Sequence, residues 1–199
     1  MIRKDDSDKF AGINANVQKC GIFSDKELQF FNNLLQYKEV PKKTFLLHQG
    51  EICRFEAYVV KGCVRVYFID AQGAELTLYF AVEDWWVSDI ASFQEHKPST
   101  LFIETLEDSE LLLLTLETKE LLLKEIPLFE RVFRLMVQRN LANLQERLFQ
   151  TVTTSAVEKY LNFLERYPNI PNRVAQHYIA SYLGFTPEFL SKVRRRLYK

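Results

Sequence analysis

Cysteine is scarce: three residues in 199. Cys20, Cys53 and Cys63 are too scattered for a disulfide framework, and no Cys-x-x-Cys pair is present. Cys53 and Cys63 read as small buried hydrophobes. Histidine is equally sparse, and His48, His96 and His177 show no His-x-His or His-Glu-x-x-His spacing, so no metal-ligand set is visible. No apolar run approaches membrane-spanning length, and the opening Met-Ile-Arg-Lys-Asp-Asp has no signal-peptide core. The expectation is a soluble, cytoplasmic protein with no membrane partner. Repeats and low-complexity tracts are absent. With 26 basic and 26 acidic residues the chain carries no net charge, which excludes a general polycation.

The charge that is present is unevenly placed. From Pro171 onward the basic residues are Arg173, Lys192, Arg194, Arg195, Arg196 and Lys199, against Glu188 alone. A local basic footprint of this kind suits a polyanion. The footprint coincides with the most structured stretch of the sequence, Gln176 to Leu197, which reads as two short helices joined by a tight turn. Ile179, Ala180 and Leu183 form the apolar face of the first helix, and Gly184 ends it where a left-handed conformation is cheapest. Thr186 is a natural N-cap and Pro187 a natural first helical residue. In the second helix Leu190, Val193 and Leu197 face inward, while Glu188, Ser191, Lys192 and Arg195 share the opposite face. Arg194, Arg196 and Lys199 flank it. This is the plan of a helix-turn-helix, in which one helix braces and the other offers its first polar side chains to base edges. A solvated helical hairpin with a basic end is the bland alternative.

Upstream, an apolar content of 47% is ample for a core, and the length suits one large domain or two small ones. Residues 1 to about 20 show no clear period and read as a loose arm. Ser24 with Glu27 resembles a capping box opening a helix that ends near Tyr37. From Thr44 to Thr115 short apolar runs alternate with turn signals, the mark of a compact β-domain. Candidate strands are Phe45–His48, Ala57–Val60, Val64–Ile69, Glu75–Phe80, Leu101–Thr105 and Leu111–Thr115, with a hairpin loop at Asp70-Ala-Gln-Gly73. In the third run Val64, Val66 and Phe68 alternate with Arg65 and Tyr67. A cupin-type metal enzyme would need histidine ligands that the roll lacks, so no enzymatic function and no cofactor are expected. A short helical patch spans Lys119 to Lys124, and an uninterrupted helix runs from Leu128 to about Val152. Its stripe Phe133, Val137, Leu141, Leu144 and Leu148 is nearly heptad and suits packing on its own domain or pairing with a twin. Thr153-Thr154-Ser155 caps a further helix to Tyr167, and a loop follows.

A β-roll, a long helix and a helix-turn-helix, in that order, resemble the Crp/Fnr family of bacterial transcription regulators. The carriers are His48-Gln-Gly-Glu51 with Tyr58-Val-Val-Lys-Gly62, the stretch Phe102 to Ser109, and Tyr178-Ile-Ala-Ser-Tyr-Leu-Gly-Phe-Thr-Pro-Glu188. The fold class implied is α+β: a double-stranded β-roll of the cyclic-nucleotide-binding kind over 1–126, a dimerisation helix over 127–153 and a DNA-binding domain over 154–199. The resemblance implies a homodimer joined along Phe133, Val137, Leu141, Leu144 and Leu148, a sensory roll taking a small-molecule effector, and double-stranded DNA and RNA polymerase as partners. Glu188 and Lys192 match base-reading positions, with Ser191 beside them; a carboxylate can accept from cytosine N4 and a lysine can donate to guanine. Gln176 and Thr186 suit phosphate contacts at helix starts, as do Arg194, Arg195 and Arg196. A ligand-binding or interaction protein that does not touch DNA is the rival reading.

Three departures qualify the resemblance. Where cyclic-nucleotide-binding members present a Gly-Glu-Leu-like turn and then an Arg-Ser pair for the cyclic phosphate, this sequence has Ser88-Asp89-Ile90 and Pro98-Ser99. The effector pocket is therefore expected around Trp85, Trp86, Ser88, Asp89 and Ser99, without the arginine, and cyclic AMP is not the expected ligand. Cys20 alone cannot supply the four thiolates of an iron–sulfur cluster. A C-terminal wing after the recognition helix is not expected.

Overall fold

The structure, a computed structural model, describes residues 9–197; the first eight residues, Tyr198 and Lys199 lie outside them. Nine helices and eight strands occur among the described residues. They fall into two compact units. The first comprises residues up to Val66 together with Phe80–Val137, and the second comprises Tyr67–Tyr79 and the chain from Gln138 onward.

The first unit opens with α1 (Ala11–Gln18) and α2 (Asp25–Leu34). The first of these corrects the expectation of a loose arm: Ile13 and Val17, one turn apart, are fully buried, so tertiary packing supplies what the weak local pattern does not. Helix α2 starts at the expected capping box, where the Glu27 carboxylate accepts from the Ser24 backbone N–H at 2.8 Å. It ends at Leu34, short of Tyr37. Leu35 is already extended, and Gln36–Val40 is instead strand β1. It pairs antiparallel with β8 (Ser109–Leu114), from Gln36 opposite Leu113 to Val40 opposite Ser109. Pairing with a neighbouring strand here outweighs the helical continuation suggested by spacing.

Strands β2 (Phe45–Leu47), β3 (Glu56–Lys61), β4 (Val64–Ile69), β5 (Glu75–Ala81), β6 (Trp86–Val87) and β7 (Phe102–Thr105) complete two four-stranded sheets. Their orders are β1-β8-β3-β6 and β2-β7-β4-β5, the roll that the strand spacing predicts. Gly62 turns β3 into β4 with φ of +106°; a Cβ there would lie 2.8 Å from the Ser109 Cα, so only glycine fits. Both faces of β4 are covered: Arg65, which alternates with Val64 and Val66, is buried like them, and its guanidinium donates to the Glu104 carboxylate at 3.1 Å. An arginine tolerates such burial only with a hydrogen-bonded partner.

Helix α3 (Ile90–Glu95) follows β6, then α4 (Leu116–Glu125) and the long α5 (Leu128–Thr153). Phe129, on the first turn of α5, anchors the core, with ring centroids 4.7 Å from Phe23 and 4.6 Å from Phe31. Cys20, Cys53 and Cys63 are all buried, as expected of small hydrophobes. No helix among the described residues is long and apolar enough to cross a membrane.

In the second unit the Asp70–Gly73 loop closes the β4–β5 hairpin. The Asp70 carboxylate accepts from the Gln72 and Ala74 backbone N–H groups, both at 2.9 Å, the self-bonding that makes aspartate a turn residue. Helices α6 (Ala156–Arg166), the one-turn α7 (Ile170–Arg173), α8 (Gln176–Leu183) and α9 (Pro187–Leu197) pack around Tyr160, Phe163, Tyr167 and Tyr182. The Phe163 ring lies 5.3 Å from Tyr167 and 5.2 Å from Tyr182.

Candidate nucleic-acid interface

The turn between α8 and α9 forms as its residues dictate. Gly184 is left-handed at φ +70°, the Phe185 N–H reaches the Ala180 carbonyl at 2.9 Å, and the Thr186 hydroxyl caps α9 by accepting from the Phe189 N–H at 3.2 Å. Leu190 and Val193 are buried, and so are Ile179 and Ala180 on α8. That seating leaves Glu188, Lys192, Arg195 and Arg196 exposed, with Ser191 and Arg194 half-buried at the margins and Gln176 and Thr186 exposed at the two helix starts. The eight residues singled out from the sequence therefore share one small helical unit. Ser191 donates to the Pro187 carbonyl at 3.0 Å and Arg195 to the Ser191 carbonyl at 3.4 Å. The sequence analysis passed over Phe189, which is exposed on the same helix.

It also passed over the side chains that hold α8 in place. Arg147, on the C-terminal half of α5, donates to the carbonyls of Thr77, Leu78 and Tyr182, the first and last at 3.1 Å and 2.8 Å, and lies over the Tyr182 ring. Burial pulls its guanidinium below the usual arginine range. Ser181 accepts from the Thr77 N–H at 2.9 Å and donates to the Glu75 carbonyl at 2.6 Å. All of these partners lie in the second unit. Backbone carbonyls leave no trace in a sequence pattern, so this clasp had no legible signal.

The residues expected to form an effector pocket lie together in the first unit; the polar groups around Asp89 satisfy one another, while the Trp86 indole N–H is buried without a partner among the described residues. Asp89 caps α3, one carboxylate oxygen accepting from the Ser92 N–H at 3.1 Å and the other from the Ser99 hydroxyl at 2.7 Å. Ser92 donates to the Lys97 carbonyl at 2.6 Å and accepts from the Cys53 N–H at 2.9 Å. Ser88 donates to the Phe55 carbonyl at 2.9 Å. The Ser99 backbone is held by the 48–51 turn, its N–H on the Glu51 carbonyl and its C=O accepting from Gly50. Lys97 turns to solvent and pairs with Glu95 at 2.6 Å. Trp86 packs edge-on against Tyr58 and Phe133, at 5.6 Å and 6.2 Å, at the margin of the core; both tryptophans are half-buried. A cleft of about 230 Å³ in the second unit is lined by Arg147, Lys159, Phe163 and Tyr182 among others, and by none of these five residues.

The stripe on α5 divides. Phe133 does not belong on an exposed seam: it is buried in its own core, beneath the Lys119 ammonium, which lies 4.2 Å from its ring and 2.7 Å from Glu56. From Val137 the stripe is open, with Leu141 53% exposed, Leu144 61% and Leu148 67%, and it continues to Val152 at 80%.

Residues 37–125 match the cyclic nucleotide-binding domain family. Among solved structures, FixK2 from Bradyrhizobium japonicum superposes with a TM-score of 0.73 at 18% identity, over 82% of this chain and 84% of that one. A regulator from Eubacterium rectale described as of the Crp/Fnr family gives 0.67 at 20% identity, over 94% and 86%. The chain has the Crp/Fnr fold. Among curated proteins, the cAMP-activated global transcriptional regulator CRP of Salmonella typhimurium is 28% identical over 80 residues, 40% of this chain. The match spans only 38% of that relative's length.

Proposed function

We propose that this chain is a DNA-binding transcription regulator of the Crp/Fnr type. The observation that carries the reading is the two-sidedness of α9: Leu190 and Val193 are buried, while Glu188, Lys192, Arg195 and Arg196 are exposed on a helix whose start is fixed by a capped turn. Lys192 would donate to guanine and Glu188 accept from cytosine, with Ser191 between them. Arg194, Arg195, Arg196, Gln176 and Thr186 would hold phosphates and set the register.

Two copies would pair along residues 127–153 through Val137, Leu141, Leu144 and Leu148, placing the two 154–199 domains in successive major grooves about 34 Å apart. An apolar row this exposed on a long helix calls for a partner of the same kind. RNA polymerase is the further partner that such a regulator would engage. The roll would sense an effector other than cyclic AMP, or none, because its polar groups around Asp89 are already matched to each other. Selection of random duplexes on the purified protein, followed by gel shifts at several salt concentrations, tests the reading. A two-fold symmetric consensus with a steep salt slope is expected. Equal, weak retention of all sequences would favour an interaction protein that does not read DNA.

A further inference from the structure

Phe189 is 43% exposed on a helix whose other exposed side chains, past Pro187 at its start, are charged. We infer that Phe189 is a specificity-determining residue that contacts the 5-methyl group of a thymine next to the base pair read by Lys192. The inference rests on the DNA-binding reading of α9.

The geometry has three parts. At 3.6 residues per turn, Phe189 stands about 60° around the helix from Lys192 and about 20° from Arg196, so it borders the basic face. It also lies in the first turn, three residues into α9, the part of a recognition helix that reaches deepest toward base edges. Its ring does not swing freely: Phe185, just before the cap, meets it edge-on at 5.0 Å and 89°. Held there, the ring presents an apolar surface at the edge of a face whose cations would sit on guanine and phosphate. The major groove offers one apolar feature, the thymine methyl, and phenylalanine is among the side chains that recognise it. A charged or amide side chain at this position would read hydrogen bonds; Phe189 can read only shape and methyl.

The Phe185–Phe189 pair also supports the turn, so a truncated side chain alone would not separate recognition from folding. Replacing thymine by uracil in the DNA does, since it removes the methyl and leaves the protein untouched. The experiment uses the unmodified chain and a duplex carrying its selected consensus, with each thymine of a half-site replaced in turn. One position should weaken binding roughly fourfold, the amount expected for one methyl group taken out of contact. The other positions should change little. 5-Methylcytosine in place of cytosine at that position should recover part of the loss, and Phe189→Leu, which keeps an apolar side chain at the turn, should lower the thymine-to-uracil ratio toward one. A consensus with no thymine whose methyl matters, or a uracil effect that Phe189→Leu leaves intact, overturns the assignment while the DNA-binding reading stands. Failure to select any sequence overturns both.

Discussion

Asp89 and Glu188 are both carboxylates at the start of a short helix, where the helix dipole favours negative charge, yet their surroundings are opposite. Asp89 is buried in the first unit, and both its oxygens accept from neighbours of the same roll. Glu188 stands exposed in the second unit beside Ser191 and Lys192. The same contrast holds for apolar groups. Phe129 and Phe133 disappear into the roll's core, while Leu141, Leu144 and Leu148 on the same helix face outward. A polar or apolar group matched within its own chain contributes to folding and has little left for a ligand. One left open is available for a second molecule. By this criterion the cluster around Asp89 is closed, and the open groups of α9, with Leu141, Leu144 and Leu148, lie in the second unit.

The largest expected effect comes from charging the open stripe. Leu141→Glu with Leu144→Glu would set four carboxylates into the seam of a two-fold pair with no cations to match them, and uncompensated buried charge is among the costliest defects known. Sedimentation should then give monomers, with affinity for a palindromic site falling at least a hundredfold, since one half-site alone must hold the protein. The isolated fold should survive, because both leucines are exposed in the protomer. A wild-type chain that sediments as a monomer at micromolar concentration would remove the basis for the pairing.

Next in size is Asp89→Ala. It removes the cap of α3, leaves the Ser92 N–H unmatched in a buried setting and takes the shorter of two acceptors from the Ser99 hydroxyl, for a loss of about 1–3 kcal/mol in urea melts. DNA affinity per folded molecule should be unchanged. The same cluster argues against cyclic AMP: a cyclic phosphate placed here would meet the Asp89 carboxylate with no arginine to offset it, and Pro98 lacks even a backbone N–H. Calorimetry with cyclic AMP should show no binding heat; micromolar affinity coupled to tighter DNA binding would reverse the view of the cluster as closed.

Lys192→Ala and Arg196→Ala separate two roles within the open surface. The first should relax preference at one base pair of each half-site at a cost of about 1–3 kcal/mol. The second should weaken every sequence alike and flatten the salt slope. Melting temperatures should move little in either case, the reverse of Asp89→Ala.

What was legible in the sequence follows the same division. The turn at Gly184-Phe-Thr186, the Ser24–Glu27 capping box, the cap at Ser155 and the stripe from Val137 are local patterns, and local patterns survive in a sequence. Helix α1, strand β1 and the Arg65–Glu104 pair depend on partners tens of residues away, so Tyr37 read as the end of a helix and the burial of Arg65 left no local mark. Phe133 fitted the heptad spacing of its neighbours and was placed with them; only the packing of Trp86 and Lys119 around it shows that the roll's core extends one turn further along α5. Arg147 is the most consequential omission, because its three acceptors are main-chain carbonyls.

The smallest effect tests a feature the two units share. Each opens a helix with a Ser-x-x-Glu box, Ser24 with Glu27 and Ser155 with Glu158. Hydrogen bonds from the serine side chain and backbone pull the Glu27 carboxyl below its ordinary range, and backbone and side-chain bonds from Ser155 do the same for Glu158. A carboxyl whose folded pKa is depressed stabilises the fold fully above its unfolded value, near 4.3, and that contribution fades as pH falls through the lower folded value. Loss of the N-cap in Ser155→Ala should cost about 0.5–2 kcal/mol at pH 7, and the gap from wild type should narrow as the pH is taken below about 4. Ser24→Ala should behave in the same way in the first unit. Melts at pH 7 and pH 3 measure both. A gap that stays constant would mean that the serine hydroxyl acts on the helix start alone, with the glutamate a bystander. A gap that narrows in one unit and not the other would show that the contrast between the two units reaches down to their caps.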